Sequence, residues 1–286
     1  MKTARLYTDI ESALGVRPVS AQALSGGCVG EVYKVELADG GVIVAKVSEN
    51  AAAKLGLEGW MLRYLAEHSG LPVPAVLHSS DALLLMEFIE GESHFGAAAQ
   101  SHAAELLAEL HAIRAPRFGL ESDTLIGGLH QPNPWTDSWL DFFRDQRLLY
   151  MAGEAIANGR MSQKMLGRIE KFAARLDRWL EEPAHPSLIH GDVWTTNVLA
   201  ANGRITGFID PAIYYADPEI ELAFTTLFGT FGDAFFQRYY EIRPLRPGFI
   251  EERRDIYNLY PLLVHMRLFG GGYVQSVDGI LRRFGC

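Results

Sequence analysis

Between residues 188 and 211 the chain sets three oxygen-bearing side chains at a spacing suited to moving a phosphoryl group. Asp192 follows His190-Gly191, Asn197 comes five residues later, and Asp210 ends a short apolar run in Ile209-Asp210-Pro211. Phosphoryl transfer asks for little covalent chemistry from a protein. It needs a carboxylate facing the acceptor hydroxyl and hard oxygen ligands for a divalent cation on the phosphates. Asp192 is read as the carboxylate that accepts or orients the hydroxyl proton, and Asn197 and Asp210 as ligands for Mg²⁺. A lone His-Gly-Asp is a common turn, because Gly tolerates positive φ and Asp bonds its own backbone. The Asp-x-x-x-x-Asn spacing, with the apolar run after it, lifts the reading above that background. His190 is read as a brace for the loop.

A nucleotide must be held against these oxygens by other parts of the chain. Residues 19–90 read as a small β-rich unit with one helix. Residues 19–24 lead into Ser25-Gly26-Gly27-Cys28-Val29-Gly30, residues 31–37 alternate like a strand, Asp39-Gly40-Gly41 reads as a hairpin turn, and 42–47 as the return strand. The glycine loop resembles the cover over ATP phosphates in protein-kinase-like folds, so Gly26, Gly27, Cys28 and Val29 are expected there, with backbone N–H groups close to phosphate oxygen. Lys46, near the end of the return strand, has the reach to meet the α and β phosphates. Residues 51–67 have helical spacing, with Leu62 and Leu65 beside Glu58. That predicts Glu58 pointing toward the sheet and pairing with Lys46; a solvated helix glutamate is the alternative. Residues 82–89 read as a short apolar edge strand running into a crossing at 88–92, and the main chain around Met86, Glu87, Phe88 and Ile89 is expected to meet the adenine edge. From Phe95 onward the pattern is helical, over 97–113, 135–153, 162–180, 217–231, 233–241 and 249–269, with short strands at 198–199 and 205–209. The fold class expected is α+β with two lobes: an ATP-binding lobe over residues 1–90, and a helical lobe over 91–286 that carries the catalytic loop and acceptor site. A cleft between lobes is a usual place for a small-molecule site. No Gly-x-x-x-x-Gly-Lys-Ser/Thr sequence is present, which argues against a P-loop.

Composition narrows the partners. A chain of 286 residues, 48% hydrophobic, has material for a large buried core. The formal charge of −9 argues against a nucleic-acid or anionic-membrane surface, since both call for clustered Lys and Arg. The first 15 residues mix Lys2, Arg5, Asp9 and Glu11 and lack an apolar core, and no stretch is apolar enough to span a bilayer. With only Cys28 and Cys286 there is no disulfide framework, so a cytoplasmic protein is expected. Monomer and homodimer both remain open. Cys28 lies where backbone dipoles favour a thiolate, so oxidation there blocking ATP is one expectation, and a small residue without redox role is the other.

At this point the chain resembles the fructosamine kinase family, the ketosamine 3-kinases, a branch of the kinase-like group that includes aminoglycoside phosphotransferases and choline kinases. The resemblance runs through residues 25–35, Val44-Ala45-Lys46, 85–90, Gln131-Pro132-Asn133-Pro134-Trp135 with Trp139, Phe142, Phe143 and Arg147, then 190–197. It continues through Asp210-Pro211-Ala212, Glu219-Ile220-Glu221-Leu222-Ala223, and 259–265 ending in Leu268-Phe269-Gly270-Gly271. The last Gly of the 25–30 loop departs from many relatives. The resemblance implies ATP- and Mg²⁺-dependent phosphorylation of the 3-hydroxyl of a ketoamine, free or on a protein lysine, with Lys46 and Glu58 fixing the triphosphate. Trp194 then either presents an apolar face to the sugar or braces the loop. A phosphotransferase for another small hydroxyl compound, of the aminoglycoside or choline type, is the alternative. A nucleotide-binding pseudokinase is a third reading, against which all four key side chains are present.

Overall fold

Alternation along one strand sorts the smaller lobe into two faces. A computed structural model describes residues 2–24, 30–48 and 54–286. Gly26, Gly27, Cys28 and Val29, and the start of the helix expected from residue 51, therefore lie outside the described residues. Helix α1 (Lys2–Leu14) precedes β1 (Pro18–Ala23), β2 (Glu31–Leu37) and β3 (Val42–Val47); α2 (Leu55–His68), β4 (Val76–Ser79) and β5 (Leu83–Glu87) follow. The strands form one antiparallel sheet in the order β1-β2-β3-β5-β4. In β3, Ile43 and Ala45 face one side with Leu83 and Leu85, where Leu6 and Ile10 of α1 cover them. Val44 and Lys46 face the other side, register with Met86 and Leu84, and look toward α2. Period two thus forces a lysine into the face that α2 closes.

Two expectations need correcting here. β5 is an inner strand, because β4 pairs along its far side. β4 is half exposed, follows Pro72 and Pro74, and carries His78 and Ser79, so it lacks a strand's apolar signal. The lobe also holds two helices: α1, with Leu6 and Ile10 one turn apart, was not anticipated.

The larger lobe opens with α3 (Ala97–Leu110) and a hairpin, β6 (Thr124–Ile126) and β7 (Leu129–Gln131). The helix expected over 135–153 is composite. Ser138 caps α4 (Trp139–Phe142), a π-helical stretch runs Phe143–Leu149, and α5 (Tyr150–Ala157) completes it. Next come α6 (Gln163–Ala173), β8 (Ser187–Ile189), β9 (Val198–Ala201), β10 (Arg204–Phe208), β11 (Tyr214–Ala216), α7 (Glu219–Leu227), α8 (Asp233–Ile242), α9 (Arg254–Phe269) and α10 (Tyr273–Arg283). Their buried faces share one large core containing Trp139, Phe142, Phe143, Phe172, Tyr214 and Tyr257. The crossing strand is stitched to this lobe: Glu92 bridges Ala200 of β9, Thr206 Oγ1 donates to the Glu90 carbonyl at 2.8 Å, and Ser93 Oγ to the Val198 carbonyl at 3.1 Å. Among the described residues, no helix is long and apolar enough to cross a membrane.

Candidate active site

Two strand pairings bring residues 190–197 and 209–212 to one point. β9 and β10 fold back on each other through Asn202 and Gly203, both at positive φ (52° and 74°), the backbone a tight type I′ hairpin requires. Val198 registers with Phe208, and the Ile209 N–H donates to the Asn197 carbonyl at 3.0 Å, so Asn197 and Asp210 emerge at the same end. β8 pairs with β11, and the Ala212 N–H donates to the His190 carbonyl at 2.8 Å, which lays residues 190–192 beside 210–212. The approach is so close that a Cβ on Gly191 would stand 2.1 Å from the Ala212 carbonyl oxygen, and Gly191 sits at φ 85°. Only glycine satisfies both conditions.

Asp192 is held by Asn197, whose Nδ2 donates to its Oδ2 at 2.8 Å and to its carbonyl at 3.1 Å. Burial raises the Asp192 pKa well above the carboxylate range, Asp210's charge adds to this, and the Asn197 hydrogen bond opposes it. His190 is fully buried, and its Nδ1 accepts the Asp192 N–H at 3.3 Å, a bracing contact.

Lys46 Nζ donates to Glu58 Oε1 at 2.7 Å and to Asp210 Oδ1. Leu55, Glu58 and Leu62 share one face of α2, so the leucines that seal the sheet carry the carboxylate down with them. Lys46 is only 5% exposed. Burial works against its charge, but Asp210 and Glu58 outweigh that and hold it as an ammonium. Burial lifts Glu58 to about 7 against the pull of Lys46, with Asp210 adding to the rise. Asp210 stays below its usual range: burial pushes upward, and Lys46 more than reverses it. Asp210 is the most open of the three and sits at φ 55°, rare for a non-glycine residue and characteristic of functional strain.

At the crossing, Met86 is buried against Leu84, and Glu87 receives the Ala75 N–H on its side chain while its own N–H goes to the Ala75 carbonyl. The Phe88 ring lies 4.0 Å from Lys34 Nζ, and Ile89 packs on Gly207 of β10. On the other side of Asp192 a cavity opens, lined by Trp194, Tyr214, Phe224, Tyr260 and His265 and bounded by Ile126 and Phe269. Trp194 meets Phe228 at 5.4 Å and the His265 ring edge-on at 6.3 Å.

The sequence reading gave no role to Glu221, which is 2% exposed. Its carboxylate accepts the Gly191 N–H at 2.6 Å, the His190 N–H at 3.3 Å and His111 Nε2 at 2.9 Å, and His111 Nδ1 in turn meets the Tyr239 hydroxyl at 2.7 Å. Burial pushes Glu221 upward, but His111, His190 and the Gly191 N–H outweigh it and keep the pKa below its ordinary value. A buried acid within an apolar helix was the available signal, since burying a charge demands partners.

Comparison with known proteins bears on the whole chain. A probable ketoamine kinase of Synechocystis is 34% identical over 273 residues, 92% of this chain and 89% of that one. The chloroplastic protein-ribulosamine 3-kinase of Arabidopsis thaliana is 30% identical, over 91% of this chain and 80% of its own. The crystal structure of a fructosamine-3-kinase candidate from Thermobifida fusca superposes with a TM-score of 0.87 at 29% identity, covering 97% of each chain. An aminoglycoside phosphotransferase shares the fold, with a TM-score of 0.69 at 20% identity over 98% of this chain and 99% of that one. The family model for fructosamine kinase matches residues 4–284, and with these relatives it shows that the chain belongs to the fructosamine kinase family.

Proposed function

We propose that the protein is an ATP-dependent ketoamine kinase that phosphorylates the 3-hydroxyl of fructosamine or ribulosamine adducts of amines, free or on protein lysines, with residues 1–90 as the nucleotide lobe and 91–286 as the acceptor lobe. The observation that carries this reading is the meeting of Lys46, Glu58 and Asp210, from three distant segments, one hydrogen-bonded loop away from Asp192 at the wall of a partly open cavity. The cavity is a fit for a small acceptor, and the charged cluster for the polyphosphate.

The donor set suits a hard divalent cation. Asn197 spends its Nδ2 on Asp192, its Oδ1 accepts only a long bond from Thr196 Oγ1 at 3.3 Å and has a lone pair left for a cation, and the Asp210 carboxylate is a third exposed. Asn197 and Asp210 would hold Mg²⁺, which when bound supplies charge neutralisation on the β and γ phosphates. Lys46, kept cationic and aimed by Glu58, orients the α and β phosphates. Asp192, fixed by Asn197 and by the Glu221-braced loop, takes the proton from the 3-hydroxyl. The new oxygen–phosphorus bond forms there as the bond to the β–γ bridging oxygen breaks, and ADP leaves. Backbone groups of residues 86–89 meet the adenine edge, residues 26–29 cover the phosphates, and Trp194 flanks the sugar.

The test is ADP release by purified protein with ribulose-lysine and fructose-lysine beside choline and an aminoglycoside. Turnover with the two ketoamines, dependent on Mg²⁺, is expected. Phosphorylation of choline or the aminoglycoside in their place would overturn the ketoamine reading in favour of another small-hydroxyl kinase.

A further inference from the structure

The charges around the acceptor cavity are lopsided. Its acidic and basic lining groups, the Tyr214 and Tyr260 phenols apart, are Asp192, Glu221 and His265; among the described residues, no Lys or Arg lines it. Behind its wall lies the buried Arg147, stacked 3.8 Å from the Tyr214 ring centroid. Its two terminal nitrogens are spent on the Pro132 and Gln146 carbonyls at 2.8 and 3.0 Å and on Asn133 Oδ1 at 2.7 Å, and Nε is buried behind the Tyr214 ring without a partner among the described residues. Arg267, on the same helix as His265, leans on Glu154 at 3.7 Å. His265 donates Nδ1–H to the Pro261 carbonyl at 2.8 Å, which fixes the tautomer and leaves Nε2 as an acceptor. Burial holds its pKa below the ordinary histidine value, the Pro261 bond opposing this. Around His265 stand the rings of Trp194, Phe224, Phe228, Phe269 and Tyr273, with centroids 4.9–6.4 Å from it. Phe269, at the rim, is 54% exposed.

Such a surface discriminates sharply between two kinds of ketoamine. The nitrogen of a ketoamine is a secondary amine, an ammonium at neutral pH. Aromatic faces and carboxylates attract it, and they stabilise an aliphatic chain beyond it by burial. A carboxylate one carbon from that nitrogen, as in an adduct on the α-amino group of a free amino acid, enters the same space with no cation to receive it. It meets the Asp192 carboxylate and π faces instead, a like-charge placement that costs affinity. Resting on the proposed ketoamine activity, we infer that the cavity selects ketoamines of aliphatic and side-chain amines and refuses those with a carboxylate beside the substituted nitrogen.

The test uses three ribulose adducts of matched size, on butylamine, on glycine and on glycinamide, with the full chain and saturating Mg·ATP. The glycine adduct should show kcat/KM at least about tenfold below the glycinamide adduct, mostly through KM, and glycinamide should approach butylamine. A second arm adds a cation: Leu268→Lys, at the cavity wall, should narrow the gap between glycine and glycinamide adducts. Equal kcat/KM for those two in the parent enzyme overturns this inference and leaves the kinase reading standing. No ADP from any of the three, in protein that still binds Mg·ATP, overturns the ketoamine reading itself.

Discussion

The two sides of Asp192 are made of opposite materials. Toward the sheet lobe lie Lys46, Glu58 and Asp210, ionised or near ionisation and each satisfied by another, with Asp210 the most open. Toward α7 and α9 lies a wall of rings and aliphatic side chains whose one basic group is a histidine. A buried charge cluster tolerates no missing partner, because the group left behind is desolvated and unpaired. A ring wall acts through area and shape and loses its grip gradually. Changes on the phosphate side should therefore depress turnover for every acceptor alike, whereas changes on the cavity side should reorder acceptors and leave the nucleotide untouched.

The sharpest break should come at the boundary. Asp192→Asn removes the proposed proton acceptor while keeping its size and the bond from Asn197. A fall in kcat of roughly 10²–10⁴-fold, the usual weight of a general base, is expected with each ketoamine, with Mg·ATP affinity nearly unchanged. A near-normal rate in this variant would remove Asp192 from proton transfer. Next in size is Asp210→Ala, which deletes the proposed oxygen ligand and one of the two Lys46 partners. Apparent affinity for ATP in Mg²⁺ should drop by about 10–100-fold, by analogy with lost metal-site contacts. Titration of a fluorescent ATP analogue with and without Mg²⁺ decides it: if the metal strengthens binding to the variant as much as to the parent, Asp210 is no ligand.

On the cavity side, Trp194→Ala should raise KM for ketoamines about tenfold, the scale of a desolvated cation–ring contact, and leave KM for ATP alone. Unchanged ketoamine affinity in a folded variant would return Trp194 to the role of a loop brace beside Phe228.

The same division explains what could be read from the sequence. The β2–β3 hairpin was legible residue for residue, since Glu31–Leu37 and Val42–Val47 alternate and a glycine turn joins them. The contact of Lys46 with Glu58 was legible because each lies on a regular element whose period fixes its direction. β6, β7, β8 and β11 were not: three residues hold no period, and the last two pair across 25 positions. The π-helical stretch at Phe143–Leu149 was also hidden: it holds Arg147, whose partners, the Pro132 carbonyl and Asn133 Oδ1, lie outside the helix. α10, with Val277 and Leu281 buried one turn apart, carried a readable amphipathic signal that was passed over. So was Asn202-Gly203, the turn that brings Asn197 back to Asp210. The cavity was least legible of all. Ile126, Trp194, Tyr214, Tyr260 and His265 meet only through tertiary packing, and each alone looks like core.

Glu221 gives the finest test, because it belongs to the cavity by position and to the other side by function. It lines the space beside Asp192, yet its carboxylate accepts from the His190 and Gly191 N–H groups and from His111. Glu221→Gln replaces one acceptor oxygen with an NH₂ donor. All three partners are donors, so one of them must lose its acceptor and face another donor in a buried site, at a cost of about 1–3 kcal/mol. The loop that carries Asp192 then loosens, and kcat should fall by roughly 3- to 10-fold. The fall should be equal for the butylamine and glycinamide adducts, with their KM ratio preserved and the folded state verified by circular dichroism. A variant that keeps kcat and shifts the KM ratio would show that Glu221 reads the acceptor directly. The two materials would then not map onto two functions, and the charge of the cavity would have to be reckoned from this carboxylate as a ligand contact.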